Sequence, residues 1–358
     1  MKKEITLSLA MIVKNEESIL DRCLSCSNIF DEIIIVDTGS TDKTKEVASK
    51  YTNKIYDFEW IDNFSAARNF AFEQATCDYI MWLDADDIIL EDDRRKLIEL
   101  KKDFDTSIDM AVMWLDYTDG NGKSLLRYRR ERVIRNDEKF KWIEPVHECI
   151  PFQGKVENFE ITTTHSPKHS EELSTRNIDI YEKQEKLSPR SLFYYARELR
   201  DHGKWNQAFN AYSRFMGLNQ GWPADSIQSC IDLYDISLKL DSEEVGIGWL
   251  LRSLKYGFPS AEVCCRLGDI HFRKENYTVA KHWYELATNV ELSDSDFGFH
   301  RPDYATYIPY MQLCVIYDKL GDKKKAFDYH NLAKLVKPDS PQVAYNEDYF
   351  NKGSVDCV

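Results

Sequence analysis

The chain has no hydrophobic run approaching the ~20 apolar residues that a membrane-crossing helix needs. The apolar stretch from Ile5 to Val13 is short and runs straight into Lys14-Asn15-Glu16-Glu17 without a small-residue cleavage site, so it reads as a first strand and not as a secretion signal. Basic charge is also scarce: 47 Lys and Arg stand against 61 Asp and Glu, a net charge of -14. That balance excludes a general nucleic-acid or anionic-membrane surface, because phosphates are held by clustered Lys and Arg, while a local basic pocket remains compatible with it. A cysteine framework is missing as well. The nine cysteines are odd in number and scattered, in a chain too large to need disulfide staples, and predict a reducing cytoplasm. Cys23 and Cys26 have the C-x-x-C spacing, but no second pair follows at zinc-binding distance. Together with adjacent Cys264 and Cys265 they are expected to be packed thiols on helices.

What is present is core material. With 43% hydrophobic and 13% aromatic residues over 358 positions, the chain supports two packed domains. In the first hundred residues two periods alternate. Leu7 to Val13 is an apolar strand-like run, and Asn15 to about Asn28 looks helical. Glu32 to Val36 is a β-branched run suited to a strand buried on both faces. Asp37-Thr38-Gly39-Ser40-Thr41-Asp42 then supplies turn and capping groups before a helix to about Tyr51. A strand near Ile55, a helix from Ser65 to Gln74 and a strand from Tyr79 to Leu83 follow. This alternation predicts an α/β domain with a mostly parallel sheet, and such sheets bind ligands at the carboxyl ends of their strands. Asp37 and Asp84 both stand at such ends. Strand-like pieces recur at Ala111 to Leu115, Arg132 to Ile134 and Glu160 to Thr164, with no readable pairing order.

From about Ser188 the pattern is helical throughout. A small residue is followed by an aromatic, then Ala, an aromatic or His and another core residue, at steps of nine, three, four and three. Ala196, Trp205, Ala208, Tyr212 and Phe215 fit, as do Gly268, Tyr277, Ala280, Tyr284 and Ala287. Cys314, Lys323, Ala326, His330 and Ala333 fit with Lys323 in place of the aromatic, and a copy around Tyr234 to Ser253 is degenerate. The register resembles the tetratricopeptide repeat, a helix pair of about 34 residues. Stacked pairs make a concave groove for another polypeptide; buttressing the enzyme or forming a homodimer are the competing uses. The expected domains are residues 1–185 and 186–358.

The chemistry centres on Leu83-Asp84-Ala85-Asp86-Asp87 at the end of an apolar strand. Three carboxylates within four positions repel one another unless a cation or donor sits among them. Hard oxygen ligands favour Mg²⁺ or Mn²⁺, with phosphate oxygens filling the remaining positions.

With Asp37-Thr38-Gly39-Ser40-Thr41-Asp42 upstream, then Phe64-Ser65-Ala66-Ala67-Arg68-Asn69 and the opening Ala10-Met11-Ile12-Val13-Lys14-Asn15-Glu16-Glu17, the order and spacing resemble the family 2 glycosyltransferases over roughly residues 5 to 180. The resemblance implies the GT-A nucleotide-diphospho-sugar transferase fold, a mixed, mostly parallel sheet, followed here by the all-α tetratricopeptide-like region. It also implies a UDP-sugar donor with Mn²⁺ or Mg²⁺. Asp37 would bond the nucleobase, Arg68 would lie against base or diphosphate, Asp84 would face the ribose and Asp86 would hold the metal. Val13, Asn15, Glu16 and Ala85 would complete the donor site. Trp142-Ile143-Glu144-Pro145-Val146-His147-Glu148 and the later His165 resemble a bacterial subgroup that joins this domain to tetratricopeptide repeats. Some of its members, the sublancin-type peptide S-glycosyltransferases among them, modify polypeptides. That subgroup often follows its histidine with Gly-Tyr, where this chain has Ser166-Pro167. His165 is the first candidate for a further metal ligand and His147 the competing one; Arg132 and Arg135 are candidates to face the diphosphate.

Transfer with inversion needs a base for the acceptor's proton; Glu148 is the first candidate and Asp87 the second. A thiol acceptor depends less on a base, since thiols ionise near about pH 8.5. The expected reaction moves a hexose or N-acetylhexosamine, glucose or GlcNAc, to Ser, Thr or Cys of a polypeptide such as a flagellin-like or secreted peptide. A glycan or lipid-linked envelope acceptor is the alternative. A non-catalytic repeat scaffold and a phosphohydrolase using Asp84 as nucleophile are weaker readings. The first is opposed by intact Asp37, Arg68, Asp84 and Asp86, the second by the lack of suitably placed later acids and lysine.

Overall fold

The computed structural model describes residues 2–119, 122–166, 174–290 and 298–353, and the chain falls into two compact units, Met1–Gln220 and Gly221–Val358. The first unit begins with β1 (Lys2–Lys3), β2 (Leu7–Val13), α1 (Leu20–Cys23), β3 (Glu32–Asp37), α2 (Thr44–Ala48), β4 (Ile55–Asp57), α3 (Phe64–Glu73) and β5 (Tyr79–Trp82). It continues with β6 (Asp87–Ile88), α4 (Glu91–Lys102), β7 (Phe104–Asp105), β8 (Met110–Thr118), β9 (Ser124–Arg135) and β10 (Val156–His165). Three helices close it: α5 (Arg176–Glu182), α6 (Pro189–Asp201) and α7 (Trp205–Leu218).

Eight strands form one sheet in the order β4-β3-β2-β5-β9-β8-β10-β6. The half from β4 to β5 is parallel, β9 runs antiparallel to both β5 and β8, and β10 returns parallel to β8. Side chains alternate across the sheet as a period of two demands. Leu7, Leu9, Met11, Ile33, Ile35 and Met81 enter one core with Leu97 of α4, while Ala10, Ile34, Val36, Ile80 and Trp82 enter another with Ala71 and Phe72 of α3. Burial on both faces explains why β2, β3 and β5 read as unbroken apolar runs.

The helix expected from Asn15 to Asn28 is shorter. Asn15 sits in the left-handed region at φ 57°, and only Leu20–Cys23 is α-helical, followed by a 3-10 turn over Leu24–Ile29. Cys23 and Cys26 are buried free thiols there, and Cys264 and Cys265 are buried free thiols on a later helix, as packing predicts.

Helices follow one another from α5 at Arg176, and compactness divides at Gln220, because α5 and α6 bond to the loop that follows β9 (detailed below). The second unit consists of α8 (Pro223–Lys239), α9 (Glu243–Arg252), α10 (Ala261–Arg273), α11 (Tyr277–Thr288), α12 (Tyr307–Lys319), α13 (Lys323–Val336) and α14 (Pro341–Gly353). Among the described residues, no helix is long and apolar enough to cross a membrane.

The helical register has a direct steric basis. A Cβ built on Gly268 of α10 would lie 2.8 Å from the Tyr284 ring of α11, a ring that is itself fully buried and bonded through its hydroxyl to Asp269. The glycine is therefore what lets these two helices approach. Gly268→Ala is expected to cost about 1–3 kcal/mol by overpacking, read as a lower midpoint in thermal unfolding of the full chain. An unchanged midpoint would show that the ring shifts freely.

Candidate active site

Two neighbouring parallel strands, β2 and β3, end in register at Val13 and Asp37. Asp37 is 1% exposed, and its Oδ1 accepts from the backbone N–H of Gly39 (2.9 Å) and Ser40 (2.8 Å). Gly39 sits at φ 102°, a conformation that a side chain would disfavour. The turn is locked from β2: Val13 C=O accepts from Thr38 N–H (3.0 Å), Asn15 N–H donates to Ser40 Oγ (2.9 Å), and Asn15 Oδ1 accepts from Thr41 N–H (2.8 Å). Glu16 N–H donates to Thr44 Oγ1 at 2.7 Å. Val13, Asn15 and Glu16 thus build the wall of the Asp37 turn. Asp37 Oδ2 is buried with no hydrogen-bond donor among the described residues. Such an oxygen is costly to leave unmet, and a ligand N–H would satisfy it.

Beyond β5 the acidic run turns sharply. Asn63 caps α3 by accepting from Ala66 N–H (3.0 Å), and the helix directs Arg68 inward. Arg68 Nη2 meets Asp84 Oδ1 at 2.6 Å, and its Nε meets Glu148 Oε1 at 2.6 Å. The guanidinium lies 4.8 Å from the ring centres of both Trp82 and Trp142, an arrangement that adds cation–π attraction. Arg68 therefore answers two protein carboxylates here, where a contact with the base or the diphosphate was expected. Burial pushes the Asp84 carboxyl up, yet Arg68, Arg132 and His165 outweigh it and hold the group down at about 2. Ala85 is buried, as a tight turn at a strand exit requires.

Arg132 is fully buried, with Nη2 3.0 Å from Asp87 Oδ2 as an ion pair and Nη1 donating to Trp82 C=O at 3.2 Å. Asp87 Oδ2 also accepts from Asp84 N–H at 3.1 Å. The antiparallel pairing of β10 with β6 sets His165 opposite Asp87. Its Nδ1 stands 3.3 Å from Asp86 Oδ1 and 3.3 Å from Asp87 Oδ1, and Tyr117 packs on the ring at 4.4 Å. One ligand atom each from Asp86, Asp87 and His165 lie within 4.8 Å of one another. Burial first, then Asp84 and Asp87, raises the Asp86 carboxyl to about 6 against the pull of His165. Two carboxylates and an imidazole at this separation suit a small divalent cation, and the raised Asp86 is what a cation would relieve.

Arg132, a candidate to face the diphosphate, is instead fully buried against Asp87, and three further expected placements change. His147 is not in this cluster: at φ 52°, it bonds Glu198 (2.8 Å) and stacks on Tyr194 at 4.3 Å, leaving His165 as the histidine beside Asp86. Arg135 pairs with Asp109 (2.8 Å) and donates to Thr106 and Ile108 C=O, next to Tyr79 at the start of β5 and so at the opposite end from Asp84. An antiparallel β9 carries each later residue toward that end. Asp87 was the second candidate base, but it is buried with both oxygens engaged and faces no open position. Glu148 keeps one oxygen on Arg68, and its Oε2 makes no hydrogen bond among the described residues. Ser166 N–H donates to Asp86 C=O at 2.9 Å, whereas Pro167 lies outside the described residues.

The tryptophans and Arg130 were not anticipated. Arg130 sits 4.8 Å over Trp82, pairs with Glu131 and donates to Glu148 C=O at 3.3 Å. Asn69, inside the Arg68 motif, supplies the missing signal for Trp142: its amide donates to Trp142 C=O and accepts from Trp142 N–H, at 3.0 and 2.9 Å.

With this geometry in view, comparison with known proteins is specific. Residues 8–154 match the description "Glycosyl transferase family 2", and residues 261–294 match "Tetratricopeptide repeat". A TPR repeat-containing protein of Synechococcus elongatus is 36% identical over 169 residues, covering 45% of this chain and 40% of that protein. The SPbeta prophage-derived glycosyltransferase SunS of Bacillus subtilis is 29% identical over 211 residues, 54% of this chain and 49% of SunS. An uncharacterized glycosyltransferase of Rickettsia conorii is 27% identical over 185 residues, 50% of this chain and 60% of that protein. The chain thus spans about half the length of these relatives. Residues 8–154 thus match glycosyl transferase family 2, and a match to the tetratricopeptide repeat follows in the same chain.

Proposed function

We propose that the chain is a cytoplasmic, metal-dependent inverting glycosyltransferase that moves a hexose or N-acetylhexosamine from a UDP-sugar to Ser, Thr or Cys of a polypeptide. The observation that carries this reading is the meeting of Asp86, Asp87 and His165 beside Asp84, at the same carboxyl-end edge of the parallel strands that presents the unmet Oδ2 of Asp37. Asp37 accepts the N–H of the uracil. Asp86 and His165 would hold the cation, with Asp87 behind them and neutralised by Arg132. When bound, the cation supplies positive charge to the diphosphate that leaves. Arg68 keeps Asp84 ionised and keeps Glu148 in place. The Oε2 of Glu148 takes the acceptor proton as the acceptor displaces the diphosphate in one step. A polypeptide acceptor is supported by the repeats behind the domain, since stacked helix pairs of this kind bind extended chains.

Three outcomes test the proposal. Incubated with UDP-glucose or UDP-GlcNAc and Mn²⁺, the protein should release UDP and not free phosphate, and Asp86→Ala should abolish that release. Wild-type turnover by Asp86→Ala would overturn the assignment.

The second concerns pH. Because the folded Asp86 carboxyl is raised to about 6 from 3.8, its ionisation costs stability as pH rises through that window. A cation removes that cost only once the proton has left. Mn²⁺ at about 100 times its dissociation constant should stabilise the fold by about 2.7 kcal/mol. Through Asp86 alone the effect should be nearly full at about pH 7.5 and fall to roughly half at about pH 5. An equal thermal shift at both pH values would contradict Asp86 as a ligand.

The third separates acceptors. Glu148→Gln should reduce transfer to a hydroxyl by about 10²–10⁴-fold, the usual worth of a positioned base. It should spare most transfer to a thiol, measured by mass of the peptide product, and equal losses for both would remove the base role.

A further inference from the structure

The loop that delivers Glu148 is short and locally unfavourable. It is closed by an isolated bridge between Ile143 and Cys149, with paired N–H···O=C bonds of 2.9 and 3.2 Å. Within it two residues other than glycine, Glu144 at φ 73° and His147 at φ 52°, hold left-handed conformations. Such geometry persists only where surrounding contacts over-determine it. Helix α3 supplies one set: Phe64 N–H donates to Pro145 C=O (2.8 Å) and Ser65 Oγ to Glu144 C=O (2.5 Å).

The other set comes from α5 and α6, helices outside the matched family region. The Glu144 carboxylate accepts from Ser188 Oγ (2.7 Å) and Ser191 Oγ (2.5 Å) at the start of α6. Between these two serines in sequence, Arg190 Nε donates to His147 C=O at 3.1 Å. Two turns on, Glu198 Oε1 takes both His147 Nε2 (2.8 Å) and Asn177 Nδ2 of α5 (2.7 Å). Tyr194 stacks on the His147 ring, and Tyr181 of α5 donates to Val146 C=O at 3.2 Å. Every residue from Glu144 to His147 is thus gripped from α3, α5 or α6, and the next residue is Glu148.

We propose that α6, the first helix of the first repeat-like pair, is a working part of the active site. It latches the 144–148 loop, and Glu198, acting through His147, is the positioning residue that keeps Glu148 on Arg68. This rests on the transferase reading above for its kinetic test, and on geometry alone for its structural one. It also gives the first helix pair a use different from the peptide-docking groove that its sequence register suggests, and it accounts for the compact unit closing at Gln220.

The experiment compares Glu198→Ala with Glu198→Gln in the full chain. The glutamine can still accept from His147 and Asn177, whereas the alanine cannot. With UDP-GlcNAc or UDP-glucose as donor, Glu198→Ala should lose about tenfold or more in kcat, as misplacement of a reacting group does. The donor KM should be nearly unchanged, because Asp37 and Asp86 are untouched, and Glu198→Gln should recover most of the loss. In parallel, hydrogen exchange of the amides from Ile143 to Ile150 should accelerate in Glu198→Ala and stay slow in Glu198→Gln and wild type. Wild-type exchange in Glu198→Ala overturns the latch whatever the catalytic activity, and so does a kcat equal to wild type. If wild type itself turns over neither donor, the transferase reading fails and the exchange measurement alone decides the latch.

Discussion

The guanidinium of Arg68 lies buried between two tryptophan rings and is claimed by two carboxylates, one at the exit of β5 and one on the loop after β9. A charge in that position is tolerable only while both partners stay ionised and close. Removing one partner from a buried pair costs on the order of 3–5 kcal/mol. Because Asp84 and Glu148 come from separate elements, the pair fixes the distance between the acidic turn and the loop carrying the candidate base. Asp84, held down at about 2, contributes stability that is present above the ordinary carboxylate range and is lost only as pH falls toward that value.

A second arginine repeats the logic one layer deeper. Arg132 neutralises Asp87 and binds the carbonyl of Trp82, so the strand ending in Asp84 and the strand carrying Arg132 are stitched at the acidic turn. Asp84 and Asp87 each therefore have a cation supplied by the fold. Asp86 has only an imidazole beside it, and its carboxyl rises to about 6. Of the three acids in this turn, the electrostatics single out Asp86 as the side chain whose charge the fold leaves for something else to balance.

Much of the parallel half of the sheet was legible in the sequence, because strands buried on both faces must read as unbroken apolar runs, as Glu32 to Val36 does. The strand-end positions of the candidate residues Asp37 and Asp84 follow from the same reasoning. The antiparallel half was harder. Strand β9 spans Ser124–Arg135 and is studded with arginines, whose charges are neutralised by Glu131 of the same strand and by Glu160, Asp87 and Asp109 elsewhere in the fold. No period-two pattern survives such pairing, so only Arg132 to Ile134 was recognisable and Arg135 was assigned to the wrong end. His147 and His165 could not be ranked by spacing, since what separates them is strand pairing: β10 meets β6 at Asp87, while His147 turns toward α6. The helical register was legible through Gly268 and Tyr284, whose contact is steric and local. That the first helix pair closes with the α/β unit was not, because the bonds responsible run through a loop with no regular pattern.

The central claim is that Asp86 holds a divalent cation at the end of β5. The most direct measurement is electron paramagnetic resonance of Mn²⁺ titrated into the protein with UDP present, for wild type and Asp86→Ala. The account predicts saturable loss of the free-Mn²⁺ signal for wild type at about one ion per chain, with no such loss for the variant. Equal binding by both proteins would contradict it.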